Sequence, residues 1–230
     1  MRPVFLIAAN FLRENRWAIL LMAVFSIVSG IGSALLVRGE RGDALYLLKQ
    51  QAAYSVLFTV FVAAQALHNQ RRSRRILAVL SKGISRSQYL AGIVVGFLGV
   101  SAIYAVTFGI TGAITFSLAG YNPLAIVALM LFLFLSAGMA GALALFFSTF
   151  MSPLLTLAAT MLVISIAAFL GPASSLIAGY PLMHSVMEFN FEHGFEFPRG
   201  AVLIAVIEGA VLWAASSVVF ARKDIAVSIE

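Results

Sequence analysis

Few side chains in this chain could do chemistry, and most of them sit in apolar surroundings. Glu208 is the one acid well inside a long apolar run, residues 201–221. At 1.5 Å per residue it lies about 10 Å from the start of that run. An ionisable group at such depth is costly and faces a bundle interior or a wet cavity, so it reads as part of a substrate path. The competing account is a structural hydrogen bond to a neighbouring span. Gln50 and Gln51 near one end of another run, and Gln65 near its other end, either line the same path or stand at the interface. His184 and Glu188 are one helical turn apart with His193 nearby. Imidazole and carboxylate together suit a divalent cation, but polar residues facing outer water explain them more simply, and no metal site is expected. The chain contains no G-x-x-x-x-G-K-[ST], no G-x-S-x-G and no H-E-x-x-H, which removes the P-loop mode of nucleotide binding and two hydrolase signatures. With no cysteine, disulfides and thiolate chemistry are also excluded. The chain does not read as an enzyme.

The one strongly basic stretch is 67–89, LHNQRRSRRILAVLSKGISRSQY, in which Arg71, Arg72, Arg74, Arg75, Lys82 and Arg86 are drawn from only 15 Lys and Arg in 230 residues. A run so charged between membrane-length apolar segments cannot sit in hydrocarbon and marks the cytoplasmic side. Residues 68–81 read as a helix with Ile76, Leu77 and Leu80 on one face and arginines on the other. Lys82 and Gly83 are C-terminal signals, since glycine tolerates the left-handed conformation that closes a helix. Ser85 with Gln88 three residues on forms a capping box, with Ile84 and Tyr89 placed as its hydrophobic staple. The stretch therefore reads as two helices meeting at an elbow.

The elements that must carry these residues follow from composition. The chain is 62% hydrophobic and 10% charged, with mean hydropathy +1.02, against roughly 25% charged residues in soluble domains. This is an all-α integral membrane protein, one domain over 1–230. Spans are expected at 17–37, 44–66, 90–118, 123–147, 153–170 and 201–221, each near or above the ~20 residues of a crossing. Residues 1–16 read as an amphipathic helix in the interface, with Phe5 and Phe11 among its apolar residues and Arg13 on the polar face. The leading segment is long and lacks a small-x-small cleavage site, so 17–37 reads as a span and not a signal peptide. The charge of +6 flanks spans instead of forming one patch, which argues against nucleic acid.

Orientation follows from Lys and Arg. Arg2, Arg13, Arg16, the basic elbow, Arg222 and Lys223 fall on one side, against Arg38, Arg41, Lys49 and Arg199 on the other. Both termini are therefore expected inside. Small residues at helical spacing, such as Ser26 with Gly30 and Gly92 with Gly96, suit a closely packed bundle. In the outer segment 171–200, Pro172 and Pro181 can start short helices over 173–178 and 182–187, too short to cross and re-entrant in character. MEFNFEHGFEF at 187–197 reads either as a hairpin pairing Phe191 with Phe195 or as an irregular aromatic loop at the interface.

The sequence QRRSRRILAVLSKGISRSQYLAG at 70–92 resembles the signature of ABC-2-type exporter permeases, with Arg72, Leu80, Ser81, Ile84, Ser85, Arg86, Tyr89, Leu90 and Gly92 in matching places. Gln70, Arg74 and Gly83 depart from it, standing where that family often has Glu, Gly and Pro. The likeness extends to the six spans, to LALFFSTFMSPLLTLAATML at 143–162 and to FARKDI at 220–225. It implies a bacterial inner-membrane permease that pairs with a second copy or a sister permease and binds two ATPase subunits, which hold ATP and Mg. The helix after the second span, with Arg71, Arg72, Arg74, Arg75, Leu77, Leu80 and Arg86, would dock the ATPase as a coupling helix, and 2–16 would touch it. The basic excess suits an acidic ATPase groove or anionic lipid headgroups. The nearly uncharged interior leans towards a lipid-like or hydrophobic cargo. Two other classes fit the same residues: a proton-coupled secondary carrier using Glu208, or a non-transporting assembly or sensor protein.

Overall fold

Unbroken apolar sequence favours helix inside a bilayer, because a helix satisfies every backbone polar group within itself. In a computed structural model, which describes residues 2–36, 41–72, 83–119, 124–170, 180–187 and 199–222, every regular element is a helix. They are α1 (Arg2–Glu14), α2 (Arg16–Leu36), α3 (Arg41–Arg72), α4 (Arg86–Ala119), α5 (Leu124–Ser148), α6 (Pro153–Leu170), α7 (Tyr180–Met187) and α8 (Arg199–Arg222). Six of them, α2, α3, α4, α5, α6 and α8, are long and apolar enough to cross a membrane. The chain is a multi-pass membrane protein.

The helices α3, α4 and α5 pack on one another and form the hub. Each remaining span lies in a groove between two of them: α2 on α3 and α4, α6 on α3 and α5, α8 on α4 and α5. Burial follows this plan. Phe97, Phe108, Phe132 and Leu133 of the hub are almost wholly buried, whereas Leu154, Leu162 and Phe169 of α6 and Leu203, Val211 and Val218 of α8 are exposed apolar residues. Lengths differ as well. With 32 and 34 residues, α3 and α4 are each about 50 Å long, while the 21 and 18 residues of α2 and α6 give about 32 and 27 Å.

The amphipathic N-terminal helix is seated on protein. Its residues Ile7, Phe11 and Leu12 meet Gly92, Gly96 and Gly99 of α4 in turn. A methyl group at Gly96 would stand 2.7 Å from Phe11 Cδ1, and one at Gly92 2.6 Å from Ile7 Cβ. Only glycine permits that approach, which replaces the missing hydrophobic effect by close van der Waals contact. Phe11 is thus 2% exposed, while Phe5 remains 63% exposed and Arg13 faces outward. The apolar face expected to rest in the interface is in large part covered by α4.

Between α1 and α2 only Asn15 leaves the helical pattern. Backbone bonds from Asn15 N to Phe11 O (3.1 Å) and from Ile19 N to Asn15 O (3.0 Å) carry the chain across. The contacts climb both partners together, from Gly92–Ile7 to Thr111–Gly30, so α1 and α2 run alongside α4 in the same sense.

Two boundaries differ from the sequence reading. The second span was expected to stop at 66, with a new helix from 68, but α3 continues unbroken to Arg72. Glutamine and arginine are good helix formers, so polarity here ends the hydrocarbon and not the helix. Likewise α4 begins at Arg86, before the expected span at 90. The short helix expected at 182–187 is present within α7, with Leu182 and Val186 buried. The expected helix at 173–178 and the aromatic hairpin lie outside the described residues.

Candidate functional site

The segment 83–89 enters α4 through local chemistry. Gly83 has φ +78°, a left-handed conformation costly to a residue with Cβ. Ser85 then caps α4. Gln88 N donates to Ser85 Oγ at 3.2 Å, and Ser85 N donates to Gln88 Oε1 at 3.3 Å. These are the two reciprocal bonds of a capping box, and they satisfy donors that a helix start leaves orphaned.

Arg86 ties this corner to the last span. Its guanidinium Nη1 donates to the carbonyls of Ala221 at 2.8 Å and Phe220 at 3.3 Å. Those carbonyls close the C-terminal end of α8, where unpaired acceptors and the negative end of the helix dipole favour a cation. Beside it the rings of Tyr89 and Phe220 stack, 6.4 Å apart and 17° from parallel. The start of α4 and the end of α8 therefore form one fastened unit. Nothing in the sequence pairs Arg86 with residues 134 and 135 positions away.

Of the other residues read as docking, Arg71 and Arg72 fall in the final turn of α3. Arg74, Arg75, Leu77 and Leu80 lie outside the described residues.

The in-membrane amides have separate settings. Gln51 is fully buried in the hub, its Nε2 3.1 Å and its Oε1 3.2 Å from Thr111 Oγ1 of α4. Gln50 points elsewhere, with Nε2 3.4 Å from the Tyr46 hydroxyl, and Gln65 is partly buried on α3. Glu208 is partly buried on α8. Gln50, Gln51 and Gln65 lie on α3 and Glu208 on α8, and α5 packs against both helices. Further hydroxyls run along the hub, with Ser55 bonding Gln51 O, Thr59 bonding Ser55 O and Thr115 bonding Thr111 O at 2.8–3.0 Å. Bonding back one turn is how serine and threonine stay satisfied without water. Thr111 was missed in the sequence, although the spacing of Thr107, Thr111 and Thr115 is a readable polar stripe.

His184 lies partly buried on α7, while Glu188 and His193 fall outside the described residues. Among the described residues no group of three metal-ligating side chains comes together. Comparison of the chain with models of known families, with characterised proteins and with solved structures gives no match.

Proposed function

We propose that the chain is the membrane-spanning permease subunit of an ATP-driven exporter of the bacterial inner membrane, with both termini cytoplasmic. Two ATPase subunits carrying ATP and Mg bind its cytoplasmic elbow, and a second copy or a sister permease completes the cavity through which a hydrophobic, lipid-like cargo leaves. This chain supplies no hydrolysis of its own. The observation that supports the reading best is the fastening of the elbow. A capping box, a left-handed glycine and the Arg86 bonds join the elbow's exit to α4 and α8, and its entrance is the continuous end of α3. A push delivered at the start of α4 moves α4 and α8 together as levers. The outer helix α7, with Leu182 and Val186 buried, acts as a re-entrant closure of the outer end, and Glu208 faces the path.

The test is co-expression with a candidate ATPase and measurement of cargo-stimulated ATP turnover in vesicles. Arg74→Glu and Arg75→Glu are expected to reduce both complex assembly and turnover, because reversing charge in a docking surface disfavours encounter and register. Unchanged assembly and turnover in both variants refutes the assignment. Transport driven by a pH gradient without ATP, abolished by Glu208→Gln, identifies a proton-coupled carrier instead.

A further inference from the structure

Between Arg86 and Glu188 the chain carries no Asp, Glu, Lys or Arg. That stretch includes the turn from α5 to α6, Thr149–Ser152. Gly109 and Gly112 of α4 meet Met130 and Ile126 of α5, while Leu98 and Phe97 meet Gly138 and Gly141. The two helices are therefore antiparallel, and α5 ends where α4 begins. Thr59 beside Gly141 and Gln51 beside Thr111 bring the last turn of α3 to the same end, and Arg86 on Ala221 brings that of α8. Arg72 closes α3, Arg86 opens α4 and Arg222 closes α8. Chain that leaves hydrocarbon for cytoplasmic water commonly carries Lys or Arg in this way. The α5–α6 turn has neither.

It is also recessed. Thr59, Phe97 and Gly141 meet in one layer of the hub, from which depth along each helix can be counted. At 1.5 Å per residue, α3 runs on for about 20 Å to Arg72 and α4 for about 17 Å to Arg86, but α5 for only about 10 Å to Ser148. The turn thus stops roughly 6–9 Å short of the charged ends, one to two helical turns. It stands at the rim, because α6 packs on the outside of α3 and α5 and Phe150, Leu154 and Leu155 are exposed. The recess opens sideways, towards lipid. The charged residues of α1 stand on another flank, against α4.

Backbone at such a depth must be satisfied without water. Ser148 Oγ donates to Leu145 O at 2.8 Å and Thr149 Oγ1 to Phe146 O at 2.7 Å. Phe150 N and Met151 N both donate to Phe147 O, at 3.1 and 2.9 Å. Three of the four carbonyls that the end of a helix leaves orphaned are thereby paired. Pro153 then opens α6 with no N–H to satisfy. The rings of Phe146, Phe147 and Phe150 cluster over this turn, 5.4–6.0 Å apart. We propose that the α5–α6 turn is embedded in lipid. It ends beneath the headgroups of the leaflet on the Arg86 side, covered by acyl chains, and a soluble partner is left with the arginine-bearing ends of α3, α4 and α8. The depth of the turn does not require an ATPase, so it stands or falls separately from the exporter reading.

The experiment places single thiols in the full chain, which has no cysteine. Phe150→Cys and Ser152→Cys probe the turn, and Ser87→Cys at the start of α4 is the water-facing control. All three positions are exposed on the protein, so a failure to react reports lipid and not packing. Each variant is purified alone, reconstituted in phospholipid vesicles and offered an impermeant maleimide on both sides. Ser87→Cys should react, and reaction should be lost at Phe150→Cys and Ser152→Cys until the protein is unfolded in detergent. Nitroxides on the two turn thiols should be relaxed more by oxygen than by a water-soluble nickel chelate, with the reverse at Ser87→Cys. Reaction in the turn as fast as at the control, or relaxation dominated by nickel, puts the turn in water and overturns the proposal. Protection seen in native membranes but lost in the purified chain identifies a protein as the cover and overturns it equally.

Discussion

At the scale of single residues, the contacts that matter are places where a side chain is absent or turned inward. Gly96 is the clearest case, since Phe11 occupies the space that any larger residue would need. Gly96→Ala is expected to cost about 1–3 kcal/mol, the usual range for overpacking, read as a lower unfolding temperature in detergent. Phe11→Ala should also destabilise, and the double variant should lose less than the sum, because the alanine at 96 then meets a vacated space. Gln51→Leu tests the buried amide. Interhelical hydrogen bonds in membrane proteins average about 0.6 kcal/mol, so a loss of that order is expected. A much larger loss would mean that the Gln51–Thr111 pair sets the register of α3 on α4.

Elements show how the chain turns local chemistry into a stiff corner. Ser85→Ala should cost about 1 kcal/mol and appear as faster amide hydrogen exchange confined to the first turn of α4. Arg86→Ala should fray the last turn of α8, 134 residues away, while Arg86→Lys restores charge without the planar fork and recovers only part of the protection. An exchange pattern unchanged in α8 would show that the two ends are not fastened. The corner also explains what was legible in the sequence. The capping box and Gly83 were, because both act within four residues of themselves. The six spans were too, because length and apolarity decide them. The ranking of those spans was not: a hub helix such as α5 and a rim helix such as α6 are both apolar, since lipid and protein interior ask for the same residues. The partners of Gln51 and Arg86 were equally hidden, because distant polar pairs leave no periodic trace. The end of α3 was misplaced because charge at Arg71 and Arg72 changes solvent preference without breaking backbone helix.

For the whole molecule, topology is directly testable because the chain has no cysteine. A single cysteine at Ser85 should react with an impermeant maleimide only from the cytoplasmic side, and one at Glu40 only from the opposite side. The reverse result would remove the elbow from any ATPase. The unequal helix lengths carry a further consequence. The rim helices α2 and α6, about 32 and 27 Å long, match a hydrocarbon core of ~30 Å, while α3 and α4, roughly 50 Å long, are longer than that core. Mismatch with the surrounding bilayer is therefore felt by α6, the shortest span, whose adaptation by tilt is worth fractions of a kcal/mol per Å. Thermal stability should peak in lipids of medium chain length and decline in thick, long-chain bilayers, so that membrane thickness itself tunes where this protein is comfortable.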